Sequence, residues 1–570
     1  MGPPGLNLIA GVLLGGVAFF LILRKQERVP PGPPPLPIVG NIFDLPQKES
    51  WKVYLEWGKA YSTSLLLLAK YDGNSRSASD SDILSLKVPG TRMFILNTAK
   101  VIQDLLVKRA SIYSDRQANS FPLLKLALTN WFARPRSTML NDLIGTSWII
   151  PFMDNTERWR GNLAVAMTKL QSLMTPPDHR RLFRREFDTS DASTVNKNHE
   201  VQAARRLLSR LLTTNDHEGD LRLAAVDAIL SITYGITPKD FDHPFIKTPE
   251  KINAIFADVA KGGYLVDVFP ILKHLPKWIP GIQFHKVAER GRPLALALVM
   301  GPYEEVQSQV RKGIAVPSVA SKFLYEVQDG SVTSPSDIEM MRNVLGNAYL
   351  GELRVVPSIQ QTVCALYNFA LAMALHPEVQ KKAQKSLDEL LGGNRLPEFG
   401  DMSQLPYLSA VVNEVLRWHP VTPFAIYHLC TQDDVYEGYH IPKGSIMIPN
   451  AWAILQDESI FGLHTDRFIP ERFMKPDGTV NPDLSDIDLA FGFGRRSCPG
   501  RLMARDTLWI MAAHILTAYE ITDPVDMEGR KLTAESHLEY TNAMVSFPPH
   551  TRIKFKPRIP ENMIHDALLG

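Results

Sequence analysis

A cysteine near the C-terminus lies where its thiol could act as a thiolate. Residues 491–505 read FGFGRRSCPGRLMAR, so Cys498 sits in a glycine-rich loop. A helix is predicted to follow, because the next apolar residues recur at helical spacing, namely Leu508, Met511, Ala512, Ile515 and Leu516. Free backbone N–H groups and the dipole at a helix N-terminus stabilise a thiolate. Gly494 and Gly500 permit tight turns and close backbone approach to a flat ligand. The pattern therefore predicts a functional thiolate at Cys498.

A pair of oppositely charged residues lies upstream of this loop in the sequence. Glu414 and Arg417 are one turn apart on a predicted helix with an apolar stripe, formed by Leu408, Val411, Val412, Val415 and Leu416. Such a pair alone is normally a solvated surface pair. Here the sequence Pro-Glu-Arg-Phe, which contains Arg472, follows at 470–473. Between the two, residues 433–449 are predicted to form two short strands joined by a Pro442-Lys443-Gly444 turn.

These three motifs, in this order, resemble the cytochrome P-450 family, and the residues within them are most similar to those of its fungal microsomal members. The resemblance extends from about Val29 to Pro557. It implies a mainly α fold with small β-sheets (α+β), with haem between two central helices. It implies that Cys498 is the axial ligand of the haem iron, and thiolate donation favours O–O cleavage. Glu414, Arg417 and Arg472 would form a buried ion network. The other residues that the resemblance places at the haem are Phe491, Gly494, Arg496, Gly500, His428, Trp159 and Arg180.

Composition agrees with a large folded enzyme and excludes some other classes. Apolar residues make up 45% of the 570 residues and charged residues 21%, which excludes wholesale disorder. A net charge of +2 argues against a nucleic-acid partner. The three cysteines cannot form a disulfide framework, and Cys364 and Cys430 are interpreted as core residues. Helical periodicity is clear in 200–212, 283–311, 377–391, 407–419 and 501–519, with Gly392-Gly393 as a stop signal.

The N-terminus predicts a membrane anchor. Residues 6–23 are apolar except for Asn7, and a helix of this length spans about 27 Å. Arg24, Lys25 and Arg28 follow and no Lys or Arg precedes, which favours an anchor with a cytosolic C-terminal side over a cleaved signal peptide. We therefore assign 1–28 to the anchor and its basic stop, 29–40 to a proline-rich hinge that acts as a spacer, and 41–570 to the haem domain. The expected location is the endoplasmic reticulum membrane.

The proton-delivery motif that the family carries on its long central helix is altered here. GNAYLG (346–351) and TVCALYNF (362–369) resemble its flanks, but ELRVVPSIQQ stands between them and Gln360 and Gln361 replace the acid and the alcohol. Pro357 would kink a helix. Glu352 or Thr362 are the candidate substitutes in the relay.

Similar interruptions occur at 63–81, 117–134 and 162–178, and with 352–361 they make four. Our hypothesis is that these stretches are unspliced introns. Genuine surface insertions are the alternative for the first two, since surface insertions cost little stability.

The resemblance also implies partners. No dinucleotide fingerprint or Walker loop is present in the sequence, so NADPH would act indirectly, through a cytochrome P-450 reductase, with cytochrome b5 as a second candidate donor. Arg495, Arg501 and Arg505 could form a basic docking patch for an acidic flavin domain. Three readings remain open: a membrane-anchored monooxygenase acting on a hydrophobic small molecule with O2, for example in secondary metabolism; a haem protein without turnover; and a reductase-independent haem-thiolate isomerase or dehydratase.

Overall fold

Helical segments account for most of the residues that the structure describes, as the sequence predicts. The computed structural model describes residues 28–37, 39–46, 48–71, 82–88, 91–115, 137–149, 193–261, 264–279, 284–352, 361–482, 484, 487–534, 538–541 and 545–566. The α-helices are α1 (Ser50–Tyr71), α2 (Ala99–Ile102), α3 (Ser193–Thr213), α4 (His217–Tyr234), α5 (Pro244–Lys261), α6 (Leu265–Val268), α7 (Phe284–Arg311), α8 (Val319–Gln328), α9 (Pro335–Glu352), α10 (Gln361–Leu375), α11 (Pro377–Leu391), α12 (Pro406–Trp418), α13 (Ala451–Leu455), α14 (Glu458–Phe461), α15 (Arg501–Ala518) and α16 (Glu561–Asp566). Two π-helical segments are Gln103–Lys108 and Met139–Ile144, and 3-10 turns include Pro270–His274, Pro470–Phe473, Asp488–Phe491 and Gly494–Arg496.

Helix boundaries follow the sequence signals closely. The periodic stretch 377–391 coincides with α11, which ends because Gly392 adopts a left-handed conformation with φ of +60°. Ser334 precedes α9, and the Asp337 N–H lies 3.4 Å from the Ser334 hydroxyl oxygen, as expected for a capping serine.

Three small sheets complete the fold. The strands are β1 (Ile83–Val88), β2 (Thr91–Leu96), β3 (His428–Leu429), β4 (Asp434–Tyr436), β5 (Tyr439–Ile441), β6 (Ile446–Pro449), β7 (Tyr519–Val525) and β8 (Arg552–Pro557). The largest sheet has the order β1-β2-β6-β3, with β2 and β6 parallel and the other pairs antiparallel. The pairs β4–β5 and β7–β8 form separate two-stranded sheets. The sheet region therefore joins the N-terminal strands to segments that lie more than 300 residues later in the chain.

The predicted hairpin over 433–449 is wrong in its pairing. The Pro442-Lys443-Gly444 turn connects β5 to β6, but these two strands belong to different sheets. The hairpin is β4–β5, and its turn is Glu437-Gly438, where φ is +50° and +79°. The reason is burial: all four residues of β6 are buried, which suits a strand inside the four-stranded sheet, whereas Val435 in β4 is exposed.

Helix α15, which follows the cysteine loop, runs through the interior. The sequence pattern predicts one apolar stripe on this helix, but every residue from Thr507 to Ala518 is buried. Its neighbours are α3, α10, α11 and α12, and their apolar residues form one continuous core with it. The helix is therefore enclosed from Thr507 onwards, whereas residues 501–506, next to the cysteine loop, are partly buried or exposed.

The proline-rich segment is not a free spacer along its described length. The Arg28 carbonyl oxygen accepts a hydrogen bond from the His440 N–H at 2.7 Å, and the Pro31 carbonyl accepts one from the Ser85 N–H at 2.8 Å. The segment thus covers the edge of β1, whose exposed N–H groups would otherwise need partners.

Several predictions fall on residues that the structure does not describe. These are the anchor 6–23, Trp159, Arg180, Pro357, Gln360, all of 117–134 and 162–178, and parts of the other two suspected insertions (72–81 and 353–360). Among the described helices, none combines the length and hydropathy that a membrane crossing requires.

Candidate functional site

The cysteine loop is closed by its own backbone. The Cys498 N–H donates to the Phe491 carbonyl oxygen at 2.7 Å, which folds residues 491–498 into a compact loop. Gly500 is the N-cap of α15, so the thiol lies just before a long, buried helix whose positive end favours a thiolate. Cys498 is half-buried, whereas Cys364 and Cys430 are buried. Burial raises the pKa of the Cys430 thiol to about 11 and raises that of Cys364 further, so these two are protonated at neutral pH.

Gly494 shows why this loop requires glycine. Its φ is +57°, a left-handed conformation that other residues rarely adopt. An added Cβ would also lie 2.0 Å from the Leu106 carbonyl oxygen, in the π-helical segment after α2. The next-door Phe493 side chain is buried against Leu105, Leu106 and other residues of the same cluster. The cysteine loop is therefore packed between α15 and the 99–108 helical segment.

Arg496 joins the cysteine loop to a distant part of the chain. Its Nε donates to the Ser114 carbonyl oxygen at 2.8 Å. His428, in β3, donates from Nδ1 to the carbonyl oxygen of Tyr113 at 2.6 Å. Tyr113 is the residue before Ser114. Because a carbonyl only accepts, Nδ1 of His428 must carry a proton. Two residues that were assigned to the haem from separate motifs thus converge on the same short segment.

Ser114 provides an independent indication that a polar group belongs here. The residue is fully buried, and its Oγ has no hydrogen-bond partner within the part of the chain that the structure describes. Buried hydroxyl groups normally have a partner. Ser114 has no predicted role, because a lone serine outside a motif gives no signal.

Taken together, these residues fit a haem group. The half-buried thiol precedes a helix N-terminus and suits the iron of a haem. The glycine positions leave room for the flat ring. The arginine, the histidine and the serine hydroxyl meet at one segment and suit the carboxylates of the haem. The residues that would hold it are Cys498 for the iron and Arg496 and His428 for the propionates. Trp159 and Arg180, expected at the same group, lie outside the described residues.

The structure brings Glu414, Arg417 and Arg472 together in a buried network. Glu414 Oε2 lies 2.7 Å from Arg417 Nε, and Glu414 Oε1 lies 2.9 Å from Arg417 Nη2 and 3.2 Å from Arg472 Nε. The Glu414 and Arg417 side chains are fully buried. This is the bidentate arrangement that makes arginine–carboxylate pairs strong.

The network also fixes a long stretch of irregular chain. Arg417 donates to the carbonyl oxygens of Leu455 and Thr465 at 2.9 and 2.8 Å, and the Ile469 N–H donates to Glu414 at 2.7 Å. The carbonyl oxygens of Leu455 and Thr465 and the N–H of Ile469 thereby have hydrogen-bond partners. Through this segment the network supports the chain that leads to the cysteine loop.

The candidate relay residues lie at the ends of two helices. Thr362 is buried in the first turn of α10, next to Gln361 at the helix start. Glu352 is the last residue of α9, and its side chain is outside the described part of the structure. The structure therefore places Thr362 in a dry environment and leaves the role of Glu352 as a prediction.

The predicted docking arginines surround the cysteine loop. Arg495 is exposed, and Arg501 Nε lies 3.0 Å from Asp488 Oδ1, an ion pair between α15 and the turn before the loop. Arg505 lies one turn further along α15. Arg495 is thus the most solvent-exposed of the three arginines. Arg501 already forms an ion pair with Asp488 in the same chain.

Comparison with known proteins agrees with this geometry. The family model "Cytochrome P450" matches residues 177–540. A cytochrome P450 monooxygenase of Hericium erinaceus is 43% identical over 560 residues, which cover 98% of this chain and 94% of that protein. A cytochrome P450 monooxygenase of Rhodocybe pseudopiperita is 35% identical over 96% of this chain and 93% of its own length. A tryptamine 4-monooxygenase of Psilocybe cyanescens is 33% identical over 97% of this chain and 98% of its own length.

Proposed function

The chain belongs to the cytochrome P450 family and is a haem-thiolate monooxygenase, and from this premise we propose that it oxidises a hydrophobic small molecule with O2 and electrons from a membrane-bound NADPH reductase. The observation that carries the proposal is the position of Cys498, half-buried on a closed loop at the N-terminus of α15. When bound, haem supplies the activation of O2 and the oxidation of an unreactive carbon, and a thiolate ligand favours O–O cleavage.

The protein contributes position, charge and dryness to this chemistry. The backbone bond between Cys498 and Phe491 and the dipole of α15 hold the sulfur as a thiolate in one place. Arg496 and His428 would hold the carboxylates of the group, and their bonds to the carbonyl oxygens of Ser114 and Tyr113 set the direction of both side chains. Such outer partners fix ligand geometry as much as the ligands themselves do.

Proton delivery to the reacting centre is assigned to the Thr362 hydroxyl. A threonine Oγ1 can donate one proton and accept another, and Thr362 is buried at the start of α10. Gln361, beside it, is not an acid and cannot replace one. In a chain that retains residues 352–361, we expect Glu352 to supply the proton to this hydroxyl.

Electron supply requires a second protein. An acidic flavin domain would meet the exposed Arg495 and the neighbouring Arg501 and Arg505, and charge complementarity of this kind raises the association rate. An NADPH–cytochrome P450 reductase is the partner we propose, with cytochrome b5 as a possible second donor.

Attachment to the endoplasmic reticulum membrane has two supports. The first is the apolar run 6–23 followed by basic residues. The second is a surface between α5 and α7 with unusually exposed large apolar side chains: Leu265, Phe269, Ile271 and Trp278 are 63%, 57%, 73% and 80% exposed. Lys273 and Lys277 lie in the same segment but are paired with Asp142 and Glu289, so the exposed apolar side chains carry this support.

The ferrous–CO difference spectrum of the purified protein tests the thiolate assignment. We expect the absorption band characteristic of a thiolate-ligated ferrous–CO haem, lost in Cys498→Ala and retained in Cys430→Ala, the matched control at a buried thiol. Product formation that depends on both NADPH and an added reductase then tests turnover. Turnover that proceeds without oxygen would instead identify an isomerase or dehydratase.

We also propose that the mature protein lacks the four interruptions at 63–81, 117–134, 162–178 and 352–361. Sequencing the transcript decides this. A mature message that encodes all four stretches would refute the intron hypothesis.

A further inference from the structure

A cleft lies where the loop between α4 and α5 meets the C-terminal half of α7. It encloses about 440 Å³, a size that suits a small organic molecule. Its lining combines polar and apolar side chains, among them His243, Phe245, Glu305, Gln309, Ile314 and Val316. None of these six residues is among those assigned to the haem. The cleft is therefore a candidate for a ligand of its own.

One wall of the cleft is formed by a row of residues on α7. Gly301, Glu305 and Gln309 are four positions apart, so they lie on one face of this helix. A Cβ added at Gly301 would lie 3.2 Å from Cε1 of Phe245, so the glycine lets the ring from the opposite wall approach the helix closely. Further along the same row, Glu305 and Gln309 line the cleft.

The opposite wall is held in place by contacts with the interior. The Phe245 carbonyl oxygen accepts a hydrogen bond from the hydroxyl of Tyr349, which is buried in α9. Gly235, which follows α4, has a φ of +68°, and a Cβ added there would lie 2.9 Å from Val316. These contacts fix the shape of the cleft before a ligand binds, and this reduces the entropic cost of binding.

Glu305 gives the cleft a negative charge. The Gln309 amide donates to Glu305 Oε1 at 3.0 Å, and Glu305 forms no ion pair within the part of the chain that the structure describes. Burial lowers the pKa of the His243 imidazole below its ordinary value of 6.5, although the carboxylates of Asp240 and Glu305 act in the opposite direction. The imidazole is therefore neutral at pH 7.5 and leaves the charge of Glu305 uncompensated.

Apolar side chains beside this carboxylate are open to solvent. Ile314 and Val316, which follow the end of α7, are 66% and 45% exposed. Covering such surface with an apolar group is favourable, and the ring of Phe245 can also attract a cation. A ligand that suits the cleft therefore carries a cationic group at one end and a hydrophobic ring at the other.

We propose that this cleft is a second ligand site, which binds a small aromatic amine with its ammonium group at Glu305 and its ring against Ile314 and Val316. The site is built without any residue assigned to the haem, so it goes beyond the proposed function and is tested separately from it.

Hydrogen exchange of the full-length protein, with and without 2-phenylethylamine, tests the site. We expect the amine to slow exchange in peptides that cover 235–246 and 305–316. The amine concentration at half-maximal protection gives the Kd, which should be about fivefold higher in Glu305→Gln, because a partly exposed ion pair contributes no more than this. Coordination of the amine to the haem iron would appear separately, as a Soret shift that does not depend on Glu305.

The matched control is Glu304→Gln. Glu304 is the neighbouring exposed acid on α7 and does not line the cleft, so this variant should keep the wild-type Kd. Ile314→Ser should weaken the binding of the amine and of its neutral analogue 2-phenylethanol. Leu296→Ser, at a residue of α7 that is 62% exposed and lies outside the cleft, should weaken neither.

Two results would overturn the proposal. An equal Kd in the wild-type protein and in Glu305→Gln would show that the carboxylate does not hold the amine. Protection only outside 235–246 and 305–316 would show that the amine occupies another part of the protein. A wild-type protein that binds no haem would refute the proposed function, whereas this measurement would still decide whether the cleft binds the amine.

Discussion

Arg496, two residues before the cysteine, donates from its Nε to the carbonyl oxygen of Ser114, 382 residues away in sequence, at 2.8 Å. The bond connects the cysteine loop to residues 113–114, and His428 donates a hydrogen bond to the Tyr113 carbonyl oxygen of the same segment. A haem group held by Arg496 would therefore be positioned relative to both.

Replacement of Arg496 by alanine should weaken haem retention. The change removes a cation expected at a propionate and the bond to Ser114, and hydrogen bonds to charged groups contribute about 1.5–3 kcal/mol. We expect the Kd for haem to rise about tenfold. The haem that remains bound after gel filtration measures this loss. Arg495→Ala, at the exposed neighbouring position, is the control and should retain haem fully. Equal haem content in the two variants would contradict the assignment.

Gly494→Ala should disrupt the cysteine loop more than its backbone conformation alone explains. An alanine at Gly444 tests conformation by itself, because φ there is +82° and an added Cβ would meet nothing within 4 Å. That change should cost about 1 kcal/mol of the free energy of unfolding. At Gly494 the Cβ would also meet the Leu106 carbonyl oxygen, so we expect a larger loss and a lower haem content. Thermal midpoints and Soret absorbance of both variants check this, and similar losses at the two positions would argue against the close packing of the loop.

Glu414→Gln should be strongly destabilising. Two buried arginines would lose their carboxylate partner, and breaking a buried ion pair costs about 3–5 kcal/mol. Glu471→Gln is the matched control in the neighbouring motif. Its carboxylate pairs with Lys382 at 2.6 Å but is half exposed, so the loss there should be about 1 kcal/mol or less. Denaturant midpoints measure both, and comparable losses would show that the buried network does not carry special stability.

Glu200→Gln should stabilise the protein at neutral pH. Glu200 is buried between α3 and α15, and burial together with the nearby charge of Asp506 raises its pKa well above the usual value. An acid with a raised folded-state pKa destabilises the fold once the pH exceeds its unfolded value, near 4.5. Glutamine keeps an oxygen for the Thr507 hydroxyl, which lies 2.7 Å from Glu200 Oε1. The thermal midpoint at pH 7.5 should therefore rise, and the gain should shrink as the pH falls towards 4.5. A gain of equal size at all pH values would mean that ionisation is not its cause.

His514→Leu should reduce the sensitivity of the fold to acid. His514 lies fully buried in α15, and burial lowers its pKa to about 4 from 6.5. The unfolded chain therefore binds a proton that the folded chain rejects, so the stability of the wild-type protein falls as the pH drops from 6.5 towards 4. Each pH unit in this window removes about 1.4 kcal/mol. The midpoint difference between pH 7.5 and pH 5 should be smaller in the leucine variant, and an equal difference would exclude His514 as a major contributor.

Local signals in the sequence were sufficient for the cysteine loop and for five of the longer helices. The glycine, arginine and cysteine spacing of 491–500 needs only a few adjacent residues to be recognised, because turn chemistry and a helix start are local properties. The same holds for α11, whose apolar period and terminal Gly392 agree with its observed bounds. The membership of Glu414, Arg417 and Arg472 in one network was inferred from the family, not from spacing, because a Glu-x-x-Arg pair is by itself uninformative.

Only the tertiary structure decided which distant groups meet. Ser114 and Glu305 carry no motif, and their importance appears only when Arg496 and Phe245 are brought near them by packing. The pairing of β6 with β2 rather than with β5 likewise depends on burial, since strand propensity does not specify a partner. The amino-acid sequence alone determined the chemistry at Cys498, because a thiolate needs only its loop and its helix. The surroundings of that site depend on contacts between residues hundreds of positions apart, which a linear pattern does not encode.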